Sequence, residues 1–133
     1  MKQLFFIALS LVFGALQRQP VIFDIPRLKG KSMTQIKKIL GQPKYNVIPT
    51  NYQIQAGATG DAFFEKGDFT LEITYNPVNQ KVNDFFISKA HAVSNYIELE
   101  IAGNILNSKD FFLSPVREKK HPSLFTGVTA TPK

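Results

Sequence analysis

Phe69-Thr70-Leu71-Glu72-Ile73-Thr74-Tyr75 alternates apolar and polar side chains without a break. Side chains of a strand point to opposite faces in turn. Phe69, Leu71, Ile73 and Tyr75 therefore face one way, and Thr70, Glu72 and Thr74 the other. One covered and one wetter face is the pattern of a strand in an antiparallel sheet. Lys66-Gly67-Asp68 reads as the tight turn before it, and Asn76-Pro77 opens the turn after it. The flanking runs Ala62–Glu65 and Val82–Ile87 complete a three-stranded meander with one face to be covered.

A helix stands ready to cover it. Ser32 and Gln35 form an N-terminal capping box, in which each side chain satisfies a free backbone donor near the other. Met33, Ile36 and Leu40 recur on one helical face, with Ile39 at its edge. Gly41 suits the left-handed C′ position, and Pro43 enforces the stop. The spacing predicts a two-turn amphipathic helix over 33–40, too short to be stable undocked. Residues 44–60 are polar, with Gly57 and Gly60, and read as a loop containing a short strand around Tyr52–Gln55.

Further on, Ile97–Ile101 alternates like a strand, but Val93, Ile97, Ile101 and Ile105 recur every fourth residue. The longer window favours a helix over 94–106, with Ser94 as its cap. Asp110–Arg117 and Leu124–Thr131 read as two more strands, separated by a polar stretch. The expected fold is α+β: an antiparallel sheet with helices packed on one side, in the order α-β-β-β-α-β-β after an N-terminal signal helix.

Gly30-Lys31-Ser32-Met33-Thr34-Gln35-Ile36-Lys37-Lys38-Ile39-Leu40-Gly41-Gln42-Pro43 resembles the segment G-x-[ST]-x-x-Q-[VI]-x-x-x-L-G-x-P of the SmpA/OmlA small outer-membrane lipoprotein family. That family is related in fold to the beta-lactamase inhibitor protein repeats. The strands after Ala62, as far as Lys81-Val82-Asn83-Asp84, are similar to the family's meander. The resemblance covers residues 30–87 and implies a small envelope domain that binds proteins, with helices on one side of a sheet. The family's lipid-bearing Cys is missing, and the chain from Lys89 onward has no counterpart in it.

The start of the chain speaks to destination. Lys2 precedes an apolar run from Leu4 to Leu16, broken only by Ser10 and Gly14 and followed by Gln17-Arg18-Gln19-Pro20. A bilayer span needs roughly 20 apolar residues, so the run fits a signal peptide better than a membrane helix. Neither Val12-Phe13-Gly14 nor Ala15-Leu16-Gln17 is a good cleavage site, which leaves cleavage and anchoring both open. The expected organisation is a signal peptide over 1–17, an extended, basic and Pro-rich lead-in over 18–31, and a single domain over 32–133.

The chain has 133 residues, a net charge of +6 and no Cys. Disulfides, thiolate metal sites and cysteine nucleophiles are excluded. An exported chain without Cys suits a bacterial periplasm better than an animal secretory pathway. Arg18, Arg27, Lys29, Lys31, Lys37, Lys38 and Lys44 stand against the single acid Asp24 in the first third. Such a flank suits an anionic membrane surface or an acidic protein partner, or is simply a solvated face. Nucleic acid is not expected as a partner of an exported chain.

Catalytic grammar is thin. His91 and His121 lie far apart with no metal-ligand spacing, and no G-x-S-x-G surrounds a serine. Glu98 and Glu100 share a face only on a strand, so a carboxylate dyad requires the helix reading to fail. Gly57-Ala58-Thr59-Gly60 lacks the Lys-Ser/Thr helix start of a phosphate loop. No catalytic residue, cofactor or metal is expected.

The doublets Phe63-Phe64, Phe85-Phe86 and Phe111-Phe112 each place one ring on either face of the sheet. Either both faces are covered, or the second displays aromatic side chains as a contact surface. The expectation is an exported, periplasmic, non-enzymatic protein-binding module, acting as an assembly factor or as an inhibitor or immunity-type protein. Its expected contact residues are Phe64, Phe86 and Phe112, rimmed by Lys37, Lys38 and Lys44. The alternative is a small-molecule or lipid-binding module whose doublets line a cavity.

Overall fold

The computed structural model describes residues 19–133, so the signal-peptide expectation for 1–17 lies outside the described residues. The fold is α+β, as expected. In chain order its elements are α1 (Ile25–Leu28), α2 (Met33–Leu40), β1 (Tyr45–Val47), α3 (Asn51–Gln55) and β2 (Gly60–Lys66). Then come β3 (Phe69–Tyr75), β4 (Val82–Val93), α4 (Ile97–Ala102), β5 (Phe111–Arg117) and β6 (Phe125–Pro132). The six strands form one sheet in the order β1-β2-β3-β4-β6-β5, with every neighbouring pair antiparallel.

The meander read from 62–87 is the centre of this sheet. Phe69, Leu71, Ile73 and Tyr75 are all buried, and Thr70, Glu72 and Thr74 are half-buried on the opposite face. The register carries that division across the sheet. Leu71 sits between Phe64 and Ile87, and Ile73 between Ala62 and Phe85. Ile87 pairs with Val128, and Phe85 with Ala130. All of these are buried, as are Phe23, Ile25 and Leu28 near α1, Met33 and Ile36 of α2, Leu99 and Ala102 of α4, and Ile105. Each buried large apolar side chain contributes about 1.5–3 kcal/mol. One layer of helix and loop thus covers one face of the sheet.

The capping box of α2 is formed as read. The Gln35 amide donates to Ser32 Oγ at 3.2 Å, and the Ser32 amide to Gln35 Oε1 at 2.9 Å. Gly41 has φ +85°, a value that favours glycine. An isolated antiparallel bridge joins Ser32 to Lys81 and seats this helix start beside the head of β4.

Four boundaries need correction. Of the lead-in over 18–31, the described residues 19–31 are part of the domain. Phe23, Ile25 and Leu28 belong to the core, and the Ile22 and Phe23 amides donate to the Ala102 carbonyl at 2.8 and 2.9 Å. Pro26 falls in the first turn of α1, where a missing N–H costs nothing. Second, the loop over 44–60 holds β1, and Tyr52–Gln55 is helical. A capping box of Thr50 and Gln53 starts α3, the same grammar as in α2. Third, β4 continues beyond Ile87 to Val93, although its pairing with β6 is interrupted between Ser88 and Val93. Fourth, residues 94–106 hold a shorter helix, and Ser94 is not its cap. Asn95 Oδ1 accepts from the Ile97 amide at 3.1 Å.

The two sheet edges differ. β1 is only three residues long, and the Tyr75 hydroxyl ties it in by donating to Asn46 Oδ1 at 2.8 Å. On β5 the Asp110 carbonyl accepts from Lys133, and the Glu118 amide donates to the Leu124 carbonyl. Even-numbered residues of that strand therefore turn their backbone groups toward β6. Odd-numbered ones, Pro115 among them, turn theirs outward. Pro115 removes a donor from the middle of the free edge, which discourages another strand from adding there.

Candidate functional site: the open face of the sheet

The face opposite the core is built by the polar half of the strand alternation. Following the register, one line runs Tyr45–Phe63–Glu72–Phe86–Thr129–Ser114. A second runs Val47–Asp61–Thr74–Asp84. Phe112 lies opposite Thr131 on the β5 side. Every one of these side chains is half-buried or exposed. Phe112 keeps 64% of its surface exposed and Tyr45 58%. Beyond β1 the apolar character continues through Ile48 to Tyr52, which is 82% exposed on a helix with no buried residue.

Phe86 is held in place by what lies beneath it. A Cβ on Gly127 would fall 2.6 Å from Phe86 Cε2 and 2.7 Å from the Ile87 carbonyl oxygen. The ring lies where a side chain at 127 would stand. That contact explains why Gly127 occupies the middle of β6 and why Phe86 is only half-buried.

Charge on this face is sorted. Asp61, Glu72 and Asp84 stand near its middle. The Thr74 hydroxyl, between the two aspartates in register, donates to Asp61 Oδ1 at 3.1 Å. Burial pushes the Glu72 carboxyl up, and the Asp61 and Asp84 charges push it further. Burial also raises Asp84, against the opposing pull of the Thr74 hydroxyl and with help from Asp61. Among the described residues none of the three carboxylates is ion-paired. Cations stay at the margins. Lys44 Nζ pairs with Glu65 at 2.8 Å and lies 5.6 Å from the centre of the Tyr45 ring. That Glu65 hydrogen bond holds the Lys44 ammonium above its ordinary range. Lys133 Nζ lies 5.0 Å from the centre of the Phe112 ring.

Of the expected contact residues, Phe86 and Phe112 are on this face and Lys44 is at its rim. Phe64 is not. It is 5% exposed and sits in the core, and its neighbour Phe63 is the outward ring. Lys37 and Lys38 are also misplaced. They belong to α2, whose Met33 and Ile36 pack into the covered layer, so they lie on the other side of the sheet. The missed residues are Tyr45, Phe63, Asp61, Glu72 and Asp84. A signal for Phe63 was present: Asp61-x-Phe63-x-Glu65 shares one face, and Gly60-x-Ala62-x-Phe64 the other.

The other candidates stay apart. His91 lies in the stretch where β4 leaves β6, and His121 in the β5–β6 connection, both exposed. Glu98 pairs with Lys89 at 3.5 Å, whereas Glu100 is buried and its carboxyl raised by that burial. Among the described residues no group of three or more His, Asp or Glu is placed to hold a metal ion. The inward rings Phe64 and Phe85 line two separate grooves of about 340 and 430 Å³ rather than one shared cavity. Among the described residues no helix is long and apolar enough to cross a membrane. No protein-family model, curated protein or solved structure matches the chain.

Proposed function

We propose that this chain is an exported, non-enzymatic protein-binding domain of the bacterial cell envelope, and that the open face of the sheet is its contact surface. The observation that carries the reading is the set of Tyr45, Phe63, Phe86 and Phe112 on one face where every side chain keeps contact with solvent. Aromatic side chains concentrate binding energy when a partner desolvates them. A sheet backed by a packed core presents them with little to order on binding. Export is supported by the charge and apolar layout of the first twenty residues. The envelope assignment rests on that layout, on the absence of Cys and on the resemblance of residues 30–87 to the SmpA/OmlA family.

The test is capture of the tagged protein expressed in its host from its own signal. Phe63→Ser with Phe112→Ser is expected to cut recovery of the partner at least tenfold, since loss of two anchor rings costs about 2 kcal/mol or more. Lys37→Glu with Lys38→Glu, behind the sheet, is expected to leave recovery unchanged. Mass spectrometry of the bait should find an N-terminus near Ala15 or Arg18. Loss of the partner through the lysine pair, with none through the phenylalanines, would remove the open face from the account.

A further inference from the structure

We infer that the partner of the open face is cationic at the point of contact: a protein segment that sets an arginine or lysine, flanked by apolar residues, over Asp61, Glu72 and Asp84. The inference rests on the reading of this face as a contact surface and adds the chemistry of what it accepts. It also reverses the sequence-based expectation of an acidic partner. The net charge of +6 belongs to the molecule, not to this face. Arg27, Lys31, Lys37 and Lys38 lie in or beside α1 and α2, on the covered side of the sheet.

Three features select a cation. First, adjacent strands lie about 4.8 Å apart, so Asp61 and Asp84, two strands apart in register, have backbones about 10 Å from one another. Thr74 lies between them, and Glu72 stands two residues along the same intervening strand, on the same face. Second, among the described residues no cation pairs with any of the three, and Lys44 is already engaged by Glu65. Like charges gathered without a counterion cost the folded protein energy that an incoming cation would relieve. Third, Phe63 and Phe86 flank Glu72 on the register line. A guanidinium seated there would meet a carboxylate head-on and aromatic rings at its sides, a combination that favours Arg. The raised carboxyls of Glu72 and Asp84 agree with this placement.

The probe is the capped dipeptide acetyl-Phe-Arg-amide, with acetyl-Phe-citrulline-amide as its neutral isostere. Each is titrated into the full chain while backbone amide resonances are followed. The arginine dipeptide is expected to shift the amides around Phe63, Glu72, Asp84 and Phe86. It should bind about tenfold tighter than the citrulline dipeptide, as suits a charge-assisted bond at a half-buried carboxylate. In Asp61→Asn/Glu72→Gln/Asp84→Asn that preference should vanish while the weaker citrulline binding persists. Equal binding of the two dipeptides on this face would overturn the cationic partner and leave the contact surface standing. A preference surviving in the carboxamide variant would overturn it as well. Shifts confined to other surfaces, or none with either probe, would overturn both readings.

Discussion

Phe85→Ala is expected to lower the free energy of unfolding in urea by about 3–5 kcal/mol, and Phe112→Ala by less than about 0.5 kcal/mol. Both rings come from Phe-Phe doublets in strands, so composition and local sequence do not separate them. Their faces do. Phe85 is 1% exposed, packs edge-on to Phe111 at 6.1 Å between ring centres, and shares the inner face with Ile73 and Ala130. Removing it leaves a hole beneath the helical layer. Phe112 gives up little packing, because solvent already reaches most of it. A domain of this size has about 5–15 kcal/mol of stability in total, so the first variant is badly weakened and the second is not. Equal losses would mean that the outer face is covered, and the proposed contact surface would go with it.

The second large effect belongs to Gly127. Gly127→Ala is expected to cost about 1–3 kcal/mol, although alanine ordinarily suits a strand better than glycine. The added methyl meets two obstacles. The Phe86 ring can swing aside, but the Ile87 carbonyl oxygen is backbone of the adjoining strand and cannot move without spreading β4 from β6. Pairing the substitution with Phe86→Ala should therefore recover part of the loss and not all of it. The difference between the single and double variants gives the coupling of ring to glycine. A Gly127→Ala protein as stable as the parent would show that Phe86 does not rest there, and would leave this ring's place on the open face unexplained.

Strands β2 to β6 and α2 were legible in the chain because each carries its own periodicity or cap, whereas the three residues of β1 are too few to show one. Alternation through Phe69–Tyr75 marked both the strand and its buried side, and Ser32, Gln35, Gly41 and Pro43 marked the ends of α2. What was lost was lost for local reasons. The lead-in over 18–31 reads as extended because it is Pro-rich, yet Pro26 begins a turn of helix. Thr50 and Gln53 repeat the capping box of Ser32 and Gln35, but α3 buries nothing and so shows no apolar period. The doublets announced two faces without saying which ring went where. For Phe63 the answer lay in its neighbours two residues away, Asp61 and Glu65. The basic flank misled about the site because net charge carries no face. The carboxylates that matter come from three strands and meet only through register.

The central claim is that the open face carries the partner. The most direct measurement is photo-crosslinking in the host from a benzophenone amino acid placed at Phe112, at Tyr45 or at Lys38. Adducts with one and the same envelope protein are predicted from positions 112 and 45, at opposite ends of the face, and none from 38, behind the sheet. An adduct from 38 with none from 112 or 45 would contradict the account and move the binding surface to the helical side.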